Sequence, residues 1–112
     1  MKGIYLGELE ELILLTVGVL YPHAYSVAVM DELDHSANRR LNISAVHSVL
    51  QRLEGKGLLK SEMGDPKQER GGRRKRIFML TAAGKRALGQ THALRTQLFD
   101  QIPKVALQFK VI

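Results

Sequence analysis

ISAVHSVLQRLEGKGLLKSEMGDPKQERGGRRKRIFML, residues 43–80, is the stretch that decides the fold. Val46, Val49, Leu50 and Leu53 fall at i, i+3, i+4 and i+7, the spacing of one helix face, so they must point into a core. Asn42 or Ser44 can cap the start of that helix. Gly55 and Gly57 close it, the second well placed as a left-handed C-cap. Residues 58–63 and 74–80 then fit two antiparallel strands, and the Gly-, Pro- and Asp-containing loop between them cannot be regular structure.

Subtracting the core stripe leaves Ser44, Ala45, His47, Ser48, Gln51, Arg52 and Gly55 on the open face of the helix. Ser44, Ala45 and Ser48 are short enough to let a base edge come close. His47 and Gln51 can hydrogen-bond one, and a glutamine suits the adenine edge in the major groove. Arg52, a turn further on, suits a backbone phosphate. An ordinary solvated helix face carries Glu and Lys in bulk, whereas this one has no acid before Glu54. The hairpin adds Lys60, Lys67, Arg70, Arg73, Arg74, Lys75 and Arg76 against Glu62, Asp65 and Glu69, and Gly71 and Gly72 let its loop approach a partner closely. Basic runs are common by themselves. This one gains meaning from following directly on a groove-sized helix, and Arg52, Lys67, Arg70, Arg73, Arg74, Lys75 and Arg76 are the expected phosphate contacts of a double-stranded DNA partner.

Outward from this segment, Leu9, Leu12, Ile13, Thr16, Val17 and Leu20 mark a core-facing stripe on a first helix over residues 6–20. Glu8, Glu10 and Glu11 are expected on its outer side, where they favour the N-terminal dipole. Tyr21-Pro22-His23 breaks that helix. A second runs from Tyr25 or Ser26 to Asp34 or slightly beyond, with Val27, Met30 and Leu33 as its stripe, Val29 on the flank and Ser26 as its N-cap. A polar connection over residues 35–42 joins it to the third, which makes a helix-turn-helix. Thr81 caps a fourth helix reaching at least Phe99, and Pro103 kinks or ends it. The fourth helix carries a narrow apolar stripe, Gly84, Ala87, Leu88, Thr91, Leu94 (or Arg95) and Leu98, extended by Ile102. Dimerisation is the simplest way to bury Leu88, Leu94, Leu98 and Ile102 together with the apolar segment 104–112; packing on the first helix is the alternative, and both can hold. The fold class is mainly α with a small β-hairpin (α+β), ordered as three helices, a hairpin and a helix.

With 112 residues, 45% hydrophobic and 25% charged, the chain has the balance of one soluble globular domain. Lys and Arg total 17 against 11 acids, a net +6 that suits a polyanionic partner. The absence of cysteine excludes disulfides, thiol nucleophiles and Cys-ligated zinc. His23, His35, His47 and His92 have no metal-ligand spacing, no serine has a nucleophile-elbow setting, and no Gly-rich phosphate loop precedes a helix. These readings predict no enzyme, no cofactor and no metal. The most apolar run, residues 12–20, is far short of the roughly 20 residues a membrane span needs, so a cytoplasmic protein is expected.

LGELEELILLTVGVL, HAYSVAVMDEL and the segment from ISAVHSVLQRLEGKGLL through ERGGRRKRIFMLTAAGKRAL together resemble the PadR-like transcriptional regulators. The resemblance covers residues 6–88, with ERGGRRKRIFMLTAAG its most specific part. It implies a bacterial winged helix-turn-helix protein, typically a homodimeric repressor that releases DNA when a small molecule or stress signal binds. Residues 1–80 would then be the DNA-binding unit and 81–112 the dimerisation helix and tail, within one compact domain. Ser44–Arg52 would be the recognition helix, with Ser44, Ala45, His47, Ser48 and Gln51 reading bases in a pseudo-palindromic operator, and residues 64–74 would be the wing. Ala24 stands where the family often has glycine, and His47 where it often has tyrosine. Two rival readings are a winged helix that binds protein rather than DNA, and a small-molecule sensor with Tyr5, Tyr21, Tyr25, Phe78, Phe99 and Phe109 around a pocket.

Overall fold

The computed structural model describes residues 5–64 and 75–108. Its elements run α1 (Glu8–Leu20), α2 (Ser26–Ala37), α3 (Ile43–Gly55), β1 (Leu59–Met63), β2 (Arg76–Leu80), α4 (Ala82–Gln101) and a short α5 (Lys104–Leu107). The expected order of three helices, hairpin and helix is the observed one.

Helix α3 forms where its sequence has both ends and one face defined. The Asn42 side chain accepts a hydrogen bond from the Ala45 N–H at 2.8 Å, which settles the cap in favour of Asn42 over Ser44. At the other end Gly57 takes a positive φ of 78°, the Leu58 N–H bonds to the Leu53 carbonyl and the Gly57 N–H to that of Glu54. This paired closure satisfies two carbonyls that the helix leaves open and turns the chain directly into β1. Val46, Val49, Leu50 and Leu53 are all buried, as their spacing predicts.

The core gathers Ile13, Leu14 and Val17 of α1, Val29 and Leu33 of α2, the four α3 residues, Leu58, Leu59, Phe78 and Ala87. In α2 the rotation differs from expectation: Val29 is fully buried and Val27 is half exposed. The strand sets that rotation. The Phe78 N–H bonds to the Ala24 carbonyl at 3.0 Å, which fixes the entry into α2 and turns Val27 toward a cleft between α2, α3 and β2. Ser26 is the first helical residue, Tyr25 occupies the N-cap position, and α2 runs on to Ala37. Asn38 ends it with a φ of 53°, a conformation asparagine tolerates better than most residues.

The β1–β2 hairpin is antiparallel, with Leu59 opposite Leu80, Ser61 opposite Phe78 and Met63 opposite Arg76. Thr81 then caps α4 by accepting from the Gly84 N–H at 3.0 Å, and its hydroxyl donates to the Gly57 carbonyl at 2.7 Å. Pro103 ends the long helix and opens α5; residues 109–112 of the apolar tail lie outside the described residues. Among the described residues no helix is long and apolar enough to cross a membrane.

Candidate nucleic-acid interface

With the apolar face of α3 sealed against α1 and α2, the opposite face projects outward. Ser44, His47, Ser48, Gln51 and Arg52 are exposed and Ala45 is half buried. One acid-free polar strip thus holds all the residues expected to read bases. Beside it the root of the hairpin places Lys75 and Arg76, both exposed, across a cleft of about 500 Å³ lined by Tyr25, Ser26, Val27, His47, Gln51 and Glu54. Helix face and hairpin root therefore border one concave surface.

Second-layer contacts hold this surface in shape. His47 Nε2 lies 3.5 Å from Ser26 Oγ, which links the recognition face to the start of α2. The Lys75 ammonium sits 5.2 Å from the centre of the Tyr25 ring. Arg76 donates to Ser61 Oγ at 3.0 Å, and Ser61 donates to Glu54 Oε2 at 2.7 Å, so the hairpin root is tied to the end of α3. In the sequence Tyr25 figures only among the aromatics of a possible small-molecule pocket and Ser26 only as a helix cap, not as neighbours of the α3 face. Their position became visible only when the strand pairing placed Ala24 against Phe78.

Arg52 is less free than its place on the helix suggested. Its guanidinium lies 3.8 Å from Glu10 Oε2, and Lys56 donates to that same oxygen at 2.7 Å. Glu10 is 6% exposed, so the expectation that it lies on the outer side of α1 is corrected. It reaches back to accept from the Gly7 N–H at 3.0 Å, half of a capping box, while its other oxygen binds the cations of α3. Burial alone would raise its pKa. The Lys56 hydrogen bond, the Gly7 N–H and the charges of Lys56 and Arg52 outweigh burial and hold it below the usual carboxylate value. Glu11 is likewise drawn inward, by Arg95 of α4, which forms a two-pronged ion pair at 3.2 and 2.8 Å. That pair raises the Arg95 pKa further. Only Glu8 stays well exposed, bridged to Arg39 at 2.9 Å.

Lys67, Arg70, Arg73 and Arg74, expected at the tip of the hairpin, lie outside the described residues. Of the residues expected to dimerise, Leu88 is partly buried against the chain's own core, while Leu94, Leu98 and Ile102 are 55%, 56% and 38% exposed. Phe99 is exposed, Tyr21 lines a separate cleft between α1 and β2, and Phe78 shares the cleft beside α3 with Tyr25, so the expected aromatics are not gathered around one pocket among the described residues. Among the described residues no group of three or more His, Asp or Glu is placed to hold a metal ion.

A profile of the PadR-like family of transcriptional regulators matches residues 13–90, most of the chain. The chain belongs to that family. Its helices and hairpin are those of the PadR winged-helix fold, with the C-terminal helix present, and its role is that of a transcriptional regulator. Among solved structures it is similar to a PadR-like transcription factor from Bacteroides fragilis, at 25% identity and a TM-score of 0.67 over 82% of this chain and 84% of that one. A PadR family regulator from Eggerthella lenta gives 26% identity and a TM-score of 0.65 over 88% and 86%. The hsRosR-S4 complex structure shares the fold, with 20% identity and a TM-score of 0.71 over 88% of this chain and 78% of that one. No curated protein sequence matches.

Proposed function

We propose that this PadR-like regulator is a homodimer that binds double-stranded DNA sequence-specifically and represses transcription until a small-molecule or stress signal releases it. The observation that carries DNA binding is the acid-free strip Ser44, His47, Ser48 and Gln51, exposed on α3 and bordered by Lys75 and Arg76 at the hairpin root. Base edges in the major groove offer donors and acceptors that such short polar side chains can meet. Lys75, Arg76 and the wing cations Lys67, Arg70, Arg73 and Arg74 would hold the flanking phosphates, with Arg52 shared between phosphate and Glu10. Residues 81–112 would pair two copies through the exposed Leu94, Leu98 and Ile102, and place two recognition helices about 34 Å apart on a pseudo-palindrome. Such a protein works in the bacterial cytoplasm.

Titration of the chain's own upstream duplex, followed by fluorescence anisotropy at several salt concentrations, tests the reading. Binding should weaken steeply with salt, by about 0.9 in log K per log unit of salt for each phosphate neutralised. Exchanging Arg73 and Arg74 for Ala should weaken all duplexes alike. Gln51→Ala should instead reorder the preference among duplexes. The reading fails if no duplex is bound or if binding ignores salt, the behaviour of a winged helix that docks on protein. In transcription from the bound promoter, addition of the protein should lower the yield; a rise would make it an activator.

A further inference from the structure

We infer that Arg95 and Glu11 are positioning residues for DNA recognition, their ion pair setting the angle at which the C-terminal helix carries the recognition helix. The inference rests on the proposed reading that α4 pairs two copies and α3 enters DNA. Successive residues of a helix point about 100° apart, so Glu10 and Glu11 of α1 address different neighbours. Glu10 holds Lys56 and Arg52 at the end of α3. Glu11 holds Arg95 of α4 through both carboxylate oxygens. One turn of α1 thereby joins the helix that would pair the copies to the helix that would read bases.

The join matters because little else orients the outer part of α4. Its buried residues are Gly84 and Ala87, both in its first two turns; Ala83, Leu88 and Thr91 are partly buried, and residues 92–101 are exposed. Beyond these, the Arg95–Glu11 pair is the one side-chain hydrogen bond from α4 to another element among the described residues. A helix of 20 residues is about 30 Å long, so a tilt of roughly 10° displaces its far end by about 5 Å. A displacement of that size is a large error against the fixed spacing of successive major grooves. The two-pronged geometry resists such tilt better than a single contact. Arg95 is 62% exposed at its side chain, so the pair adds little to folding stability. Its consequence should therefore appear in geometry and affinity rather than in melting.

Because the chain has no cysteine, Asp31→Cys on the exposed side of α2 gives a single attachment point for a spin label in the full-length protein. Pulsed dipolar spectroscopy should show one narrow distance between the two subunits. Arg95→Gln should broaden or shift that distance and weaken binding of the upstream duplex about five-fold or more, with a melting temperature close to the parent's. Arg95→Lys, which keeps the charge but loses the fork, should fall between. A narrow, unshifted distance in Arg95→Gln overturns the inference, as does a broadened distance with unchanged affinity. If the parent shows no distance between subunits, or binds no duplex, the dimer or DNA reading itself is overturned and this inference with it.

Discussion

Helices α3 and α4 follow each other across the hairpin, yet they relate to the core in opposite ways. Helix α3 buries all four of its core-spaced residues, Val46, Val49, Leu50 and Leu53, within 13 residues. Helix α4 is 20 residues long and buries only Gly84 and Ala87, leaving Leu94, Leu98 and Phe99 more than half exposed. The radius of gyration, 17.1 Å against about 13 Å for a compact chain near this length, records the same imbalance. A helix whose apolar face is complete can devote its other face to a ligand. A helix whose apolar face is incomplete leaves that face to the second copy proposed above, because apolar surface left in water is unfavourable by about 25 cal/mol per Å².

The largest effect separates the two helices directly. Leu50→Ala removes a fully buried side chain and should lower folding stability by about 2–5 kcal/mol. Leu98→Ala removes a side chain that is 56% exposed and should change the stability of the isolated chain by no more than about 0.5 kcal/mol. Urea unfolding at low and high protein concentration distinguishes them. The Leu50 loss should be the same at both concentrations, whereas any Leu98 loss should grow with concentration, because binding a second copy stabilises only the folded form. A Leu98 loss as large as that of Leu50 at the lowest concentration would place Leu98 in the chain's own core and erase the contrast.

Next in size is Gly84→Ala, which tests where α4 stops belonging to the core. A methyl group on Gly84 would collide with the backbone carbonyl of Leu58, and backbone yields less readily than a side chain tip. The first turn of α4 is also pinned there by Thr81, whose N–H bonds to the Leu58 carbonyl at 3.2 Å. We expect a loss of about 1–3 kcal/mol, the range for overpacking a filled site, in the same urea experiment. A neutral result would mean that α4 is loosely seated from its first turn onward.

The contrast also explains what could be read before the structure. Helix α3 was legible on both faces because its apolar spacing, its cap at Asn42 and its closing Gly57 all agree on one state. The open face followed by subtraction. The apolar stripe of α4 was equally plain, but a stripe does not say whether it meets its own chain or another. What the sequence concealed was long-range. The partners of Glu10 and Glu11 lie 46 and 84 residues away, and a glycine at the N-cap hid the half capping box that turns Glu10 inward. Val27 and Val29 changed places because a strand bond from Phe78, not the helix's own periodicity, set the rotation of α2.

Glu10→Gln probes the α3 side of that hidden connection and should be milder. The substitution keeps the shape but removes the charge facing Lys56 and Arg52, at about 1 kcal/mol near neutral pH, a figure held down because the Lys56 side chain is 38% exposed. Since the folded protein holds the Glu10 pKa below the usual carboxylate value, the folded state resists protonation more than the unfolded chain does. The stabilisation is therefore complete above that value and lost as the pH falls through the lowered pKa. Parent and variant should differ most at neutral pH and converge in acid. A gap that widens in acid would mean that Glu10 is not the carboxylate holding α3.

The smallest effect returns to the unfinished helix. Gly89 lies in the interior of α4, five residues beyond Gly84, and a methyl group placed on it meets nothing within 4 Å. In that setting alanine should raise stability by about 0.5–1 kcal/mol, because glycine forfeits more backbone freedom when it becomes helical. Thermal melting of Gly89→Ala at low concentration should show the gain. The same variant at high concentration asks a sharper question than Leu98→Ala can. If the second copy covers only the Leu94, Leu98 and Ile102 side of α4, the gain persists as the copies associate. If instead the partner's backbone comes close at Gly89, the added methyl group blocks that approach, and the gain at low concentration turns into a loss at high concentration. A single methyl group thus separates an α4 pairing through side chains from one that needs glycine for close contact, with the fold of the chain itself left undisturbed.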